Sequence, residues 1–136
     1  MIDINFSQVT EKIQSMELPD FDVVVAIARG GIVPGAMIAY KYKKELITIQ
    51  LNYRDDTNTP RYNEPKLLAE TPILPKNAST LLLVDDVSVS GKTLDTAKKL
   101  FDGYKIVTFV LKGKGDYVAF ANIPECVNWP WKSKQP

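Results

Sequence analysis

The residues best suited to chemistry lie in one short run, "LVDDVSVSGKT", residues 83–93. Two adjacent carboxylates, Asp85 and Asp86, close an apolar stretch. A turn of small residues, Ser88, Val89, Ser90 and Gly91, then leads through Lys92 and Thr93 into an amphipathic segment. Small residues let backbone N–H groups turn inward at a helix N-terminus, and the hydroxyls of Ser90 and Thr93 add donors, which makes a seat for one phosphate monoester. The aspartates could accept hydrogen bonds from vicinal hydroxyls of a ribose. The bland alternatives are a polar strand end or helix cap for the aspartates, and an ordinary capping loop for residues 88–93. A nucleotide-binding P-loop is excluded, because its first glycine would have to stand at position 86. Asp86 occupies that place, and a carboxylate repels the phosphate such a loop holds.

A second candidate is Arg29, Gly30 and Gly31, after the apolar run "FDVVVAIA". Glycine permits positive φ and close backbone approach to an anion, and Arg29 adds a permanent charge. The plainer reading is a strand-to-helix turn. Absence narrows the chemistry further: the chain has no histidine and a single cysteine, Cys126. A Ser-His-Asp triad and a His-containing zinc site are therefore ruled out, and a carboxylate-bound hard cation such as Mg²⁺ is the metal left to expect. The formal net charge of +1 gives no reason to expect nucleic acid. No apolar run is long enough to span a membrane, and "MIDINFSQVTEK" lacks the pattern of a signal peptide. The expectation is a cytoplasmic protein.

The elements that position these residues follow from apolar spacing. Val9, Ile13 and Met16 mark a helix with Asn5 or Ser7 as its N-cap. "FDVVVAIA" reads as a buried parallel strand, "IVPGAMIAYKYKK" as a helix with Pro34 near its first turn, and "ELITIQL" as a second strand. Residues 52–78 hold four prolines and read as a lid or a disordered surface segment. "STLLLVD" is a third strand, "GKTLDTAKKLFDG" a helix closed by Gly103, and "YKIVTFVLK" a fourth strand ending at Lys112. Residues 113–136 read as irregular. Alternating strands and helices imply one α/β domain over residues 1–136, with a mainly parallel central sheet flanked by helices. Both candidate loops fall at strand carboxyl ends, where such folds bind ligands.

"LLLVDDVSVSGKT" resembles the phosphoribosyl diphosphate (PRPP) motif of type I phosphoribosyltransferases. "VVVAIARGGIVPGAMIAYKY" is similar to their pyrophosphate loop and following helix, especially in bacterial xanthine-guanine enzymes. "DYVAFANIP" after Lys112 is similar to the purine-side segment of hypoxanthine-guanine enzymes, as is the closing "PW" to the xanthine-guanine group. The resemblance spans about residues 22–131. It implies the type I phosphoribosyltransferase fold with a small C-terminal hood over about 113–136, and Mg²⁺-dependent transfer of a phosphoribosyl group from PRPP to a nucleobase, with a 6-oxopurine favoured. It implies PRPP contacts from Arg29, Gly30, Asp85, Asp86, Ser88, Val89, Ser90, Gly91, Lys92 and Thr93. Asp85 and Asp86 would be the catalytic pair on the ribose hydroxyls and would hold Mg²⁺ through water. A non-proline cis peptide near Arg29, a lid over about 52–78 carrying Tyr53, Arg54 and Arg61, and a dimer or tetramer are implied as well. Base contacts fall to Lys112, Tyr117 and the backbone of Val118, with Trp129 and Trp131 as other aromatics that could stack; Lys112 and the rings could equally be structural.

One position departs from the pattern. The 6-oxopurine enzymes carry an aspartate three residues after the acidic pair, near N7 of the base, where this chain has Val89. Valine can neither take a proton nor hydrogen-bond, which leaves Asp86, Asp116 and Glu125 as carboxylates to consider as a base. It also admits a rival reading, a PRPP-binding protein that regulates rather than catalyses. An unrelated α/β binding domain with structural loops is the third.

Overall fold

The fold is that of a computed structural model describing residues 1–52, 66–67 and 71–132. The chain runs β1 (Ile2–Asp3), α1 (Phe6–Ser15), β2 (Val23–Ala28), α2 (Ile32–Tyr42), β3 (Glu45–Asn52) and β4 (Lys66–Leu67). It continues with β5 (Thr80–Ser88), α3 (Lys92–Leu100), β6 (Lys105–Gly113), β7 (Tyr117–Val118) and β8 (Val127–Asn128). Six strands form one sheet in the order β4-β3-β2-β5-β6-β7. All neighbours pair in parallel except β4, which lies antiparallel on β3 at the edge. The α/β reading with a mainly parallel sheet is borne out.

Local chemistry explains the helices. Asn5 caps α1 by accepting the Gln8 amide, and the Gln8 side chain accepts the Asn5 amide in return, a reciprocal capping box. Ser7 lies inside the helix and Met16 is its C-cap. Lys41, in the last turn of α2, donates to the carbonyls of Ile13, Gln14 and Met16 and so fastens α2 to the end of α1. No helix among the described residues is long and apolar enough to cross a membrane.

Two apolar clusters sandwich the sheet, and the period-2 alternation of strand side chains assigns them. Leu82 and Val84 of β5 face α1, α2 and the C-terminal residues Ala119 and Trp129. Leu81 and Leu83 face α3 through Leu94, Ala97 and Phe101. Helices thus cover both faces, as a buried parallel sheet requires.

Three expectations need correction. The third strand does not end at Asp85: β5 continues to Ser88 because β6 runs beside it to Gly113, pairing Val87 with Lys112 and Ser88 with Gly113. The tail is not irregular throughout, since β7 extends the sheet and β8 pairs with β1 at the opposite end of the chain. Within the span assigned to a lid, β4 is paired with β3, and Leu74 and Ala78 pack on the core beside α3. Tyr53, Arg54 and Arg61 lie outside the described residues.

The starts of β2 and β5 are joined by one side chain. Asp22 accepts hydrogen bonds from the amides of Ser79 and Thr80 at 2.8 Å each and from the Ser79 hydroxyl at 3.0 Å. These donors, led by the Thr80 amide, hold its carboxyl below the ordinary value of 3.8. A lowered folded value means that the contribution to stability is present above the ordinary value and is lost as pH falls through the folded one. Asp22→Asn should therefore lower the melting temperature at neutral pH, and its gap from the unsubstituted protein should narrow below about pH 4. Thermal melts followed by circular dichroism across that range check this, and a gap independent of pH would contradict it.

The turn after β2 lies more tightly still against β5. A Cβ on Gly31 would stand 2.3 Å from the Val84 carbonyl oxygen and 2.8 Å from that of Ile27, both backbone atoms that cannot step aside. Gly31→Ala should cost about 3 kcal/mol or more in urea unfolding. Gly103→Ala is the control: φ is +93° there, with nothing within 4 Å of a new Cβ, so only left-handed backbone strain of about 1 kcal/mol applies. Equal costs at the two positions would show that the contact between the strands is not what requires Gly31.

Candidate functional site

The sheet order sets where a site can form. From β2 the chain passes outward to β3, then returns to place β5 on the other side of β2. The crevice at the carboxyl ends of β2 and β5 is the topological switch point, where open α/β sheets bind ligands. The turn Arg29–Gly31 leaves β2 there, Asp85 to Ser88 close β5 there, and Val89 to Gly91 lead from it into α3. The structure brings the two sequence motifs together.

They touch. A Cβ on Gly30 would fall 2.4 Å from Cγ of Asp86, so the absent side chain of Gly30 is the space the Asp86 carboxylate fills. Neither Gly30 nor Gly31 has positive φ. Close approach, to the Asp86 carboxylate and the Val84 carbonyl, is the reason for both glycines. The peptide between Ala28 and Arg29 is cis, as the resemblance implied, and the Arg29 side chain is exposed.

Asp85 and Asp86 are each only 8% exposed. Alternation along β5 puts Asp86 on the Leu82 and Val84 face, towards α2 and the tail, and Asp85 on the face of α3. Both turn back onto the chain: Asp85 Oδ1 accepts the Asp86 amide at 2.8 Å, and Asp86 Oδ1 accepts the Val87 amide at 2.7 Å. Burial first, and the Asp86 charge second, push the Asp85 carboxyl well above the ordinary carboxylate range. The aspartates do not cap α3, whose N-cap is Gly91 with φ of 86° and no side-chain hydrogen bond. The helix-cap reading is thereby removed. A buried pair of carboxylates with like charge calls for a cation or for hydroxyl donors.

Beside the pair, α3 presents its N-terminus. The helical ladder begins with the Asp95 amide on the Gly91 carbonyl, and the amides before it are those a helix leaves to outside partners. The Ser90 hydroxyl accepts the Lys92 amide at 3.3 Å. Ser90 is exposed, Thr93 half-buried and Ser88 buried. Val89 is 60% exposed, so the residue that breaks the 6-oxopurine pattern faces solvent at the rim of the site.

The tail contributes a residue that the sequence reading missed. Lys132 Nζ stands 3.3 Å from Asp86 Oδ2, with the Lys132 side chain 52% exposed and that of Asp86 11%. Nothing in local spacing signals this pair; only the folding of the tail back over α1 creates it.

The base-side residues divide. Lys112 donates to the carbonyl of Glu125 and ties the end of β6 to the tail loop. Tyr117 packs against the α1 and α2 cluster, Val118 against the α3 cluster, and both belong to the edge strand β7. Trp129, at 1% exposure, is part of the core and cannot stack on a ligand as it stands. Trp131 lies on it, ring centroids 5.7 Å apart and planes 2° from parallel. Asp116 is not a free base, since it accepts from the amide and hydroxyl of Thr108, whereas Glu125 is exposed on the tail.

The donor set limits any metal. Among the described residues no three His, Cys, Asp or Glu side chains converge. Asp85 and Asp86 therefore suit only a hard cation that draws most of its oxygens from the ligand it accompanies and from water.

Comparison with known proteins agrees with this geometry. Solved structures with the same fold include a purine phosphoribosyltransferase from Pyrococcus horikoshii OT3, 22% identical over 99% of this chain and 95% of that one, with a TM-score of 0.79. The Helicobacter pylori xanthine-guanine-hypoxanthine phosphoribosyltransferase is 18% identical over 94% and 89% of the two chains, at 0.67. An adenine phosphoribosyltransferase from Trypanosoma brucei, in complex with AMP, pyrophosphate and ribose-5-phosphate, is 18% identical over 76% of this chain and 48% of that one, at 0.55. At such identities the likeness is one of fold. The family assignment comes from the sequence itself, for residues 9–132 match the phosphoribosyl transferase domain model, and the chain belongs to that family.

Proposed function

We propose that this protein transfers the phosphoribosyl group of PRPP to a ring nitrogen of a purine base and releases pyrophosphate, as a step of purine salvage. The observation that carries the reading is the contact of the Asp86 carboxylate with Gly30, which sets a pair of buried carboxylates against a glycine turn and an exposed arginine at the switch point. A ligand with a 5-phosphate, vicinal hydroxyls and a diphosphate finds a complement for each part there. The amides opening α3, with Ser90 and Thr93, take the 5-phosphate. Asp85 and Asp86 accept from the ribose hydroxyls, bonds that gain strength with charge. Arg29 and the backbone of Gly30 face the diphosphate.

Catalysis then rests on placement and charge. As the bond from C1 to the diphosphate lengthens, C1 grows electron-poor, and the nearby carboxylates favour that charge more than they favour the ground state. The pair holds the ribose so that the base nitrogen approaches the face opposite the leaving group. Asp85 and Asp86 would hold a Mg²⁺ ion through water, and such an ion would supply positive charge for the leaving diphosphate. On the base side, Lys112, Tyr117 and the backbone of Val118 are the residues that would meet the base, as the family resemblance implies. A 6-oxopurine is the preferred base, supported by the bases the H. pylori enzyme is named for, while the P. horikoshii enzyme is named for purine alone. Val89 contributes no proton acceptor, so the N7 proton passes to water and not to that side chain.

Pyrophosphate release from PRPP and Mg²⁺, with hypoxanthine, guanine, xanthine, adenine, uracil and orotate offered singly, tests the proposal. Release with a 6-oxopurine is expected, and Asp86→Asn should lower kcat/KM by about 100-fold or more. Release with another base alone would keep the enzyme and overturn the base. Val89 is the observation that favours a regulatory PRPP binder instead, and binding of PRPP without release with any base would establish that reading.

A further inference from the structure

Lys132 and Asp86 form the one ion pair joining two described residues, in a chain with 17 basic and 16 acidic side chains. A solvated surface pair would be unremarkable and contribute little. This one is placed differently. Its carboxylate is 11% exposed, borders a second buried carboxylate, and rests on Gly30 of the turn after β2. The ammonium is therefore held at the junction of both loops of the site.

The anchor of this lysine is fixed and its side chain is not. The Lys132 amide donates to the Trp129 carbonyl at 3.1 Å. Trp131 stacks on Trp129 and packs near Phe6 of α1, with ring centroids 6.2 Å apart. From that held backbone a half-exposed, four-carbon stem carries a compact charge that can shift without moving the tail. When ligand hydroxyls and an accompanying cation claim the Asp86 carboxylate, the ammonium loses its partner. The nearest new anion is then the one seated at Arg29 and Gly30.

We propose that Lys132 is a ligand-binding residue, held on Asp86 in the free protein and passing to the diphosphate oxygens of PRPP when that ligand binds. The inference rests on the phosphoribosyl reading above and extends it to a tail residue that would pair with Arg29 across the leaving group. Charge-assisted contacts of this kind are worth roughly 10- to 100-fold in affinity.

The test is titration calorimetry in Mg²⁺ with two ligands, PRPP and ribose 5-phosphate, which lacks the diphosphate. Lys132→Ala should weaken PRPP by roughly 10-fold or more, leave ribose 5-phosphate unweakened, and be largely restored in Lys132→Arg. Equal weakening of both ligands would make Lys132 a structural prop and overturn the assignment. Unchanged or tighter PRPP binding would overturn it too, leaving the lysine a counter-ion that the ligand displaces. Failure of the unsubstituted protein to bind either ligand would defeat the phosphoribosyl reading itself, and the assignment with it.

Discussion

The fold and the site hang on the approach of β2 to β5 at their carboxyl ends. The strands pair from Val23 with Leu81 to Ala26 with Val84, and where that ladder stops the turn after β2 lies so close to β5 that only hydrogen fits. The Val84 carbonyl occupies the place of a Gly31 side chain, and the Asp86 carboxylate that of a Gly30 side chain. The two glycines let the chain leave β2 and enter α2 while β5 passes beside it. A carboxylate then lies directly against a backbone turn, which is the arrangement that can face the hydroxyls of a sugar on one side and its leaving group on the other.

That arrangement has an electrostatic cost. Asp85 and Asp86 are adjacent, buried and alike in charge, and burial weighs most on Asp85. The chain offsets this with what is at hand: the Asp86 and Val87 amides accepted by the aspartates, and the Lys132 ammonium. None of these saturates the carboxylates, each of which has two oxygens and room for more donors. The incomplete satisfaction leaves the pair able to accept further donors or a cation. A fully satisfied pair would be an inert strand end.

Much of this was legible in the sequence, and the rest was not for identifiable reasons. Apolar periodicity placed β2, α2, β3, β5, α3 and β6, and the motif residues Asp85, Asp86, Gly30 and Gly31 declared themselves by type and spacing. The extent of β5 past Asp85 was hidden because polar residues carry no strand signal; pairing with β6, a distant partner, decides it. β1, β4, β7 and β8 have two residues each, too few to show a period. Positive φ and close approach were both open readings of Gly31, because the two needs look alike in a sequence, and the Val84 carbonyl decides for close approach. Lys132 was missed because a lysine after "PW" is surface by default, and only the docking of Trp129 and Trp131 near Phe6 and Phe120 turns it towards the site.

The alternation of β5 also divides labour within the site. Leu81 and Leu83 belong to the face of α3, and alternation puts Asp85 with them. Leu82, Val84 and Asp86 belong to the face of α1, α2 and the tail, where the glycine turn and Lys132 stand. Two consecutive carboxylates thus stand towards opposite layers because a strand must send neighbouring residues to opposite sides. Adjacency in sequence, which looks like redundancy, is the means by which a single strand reaches both layers of the fold. Shifting β5 by one residue would exchange the two faces and separate each carboxylate from the elements it serves.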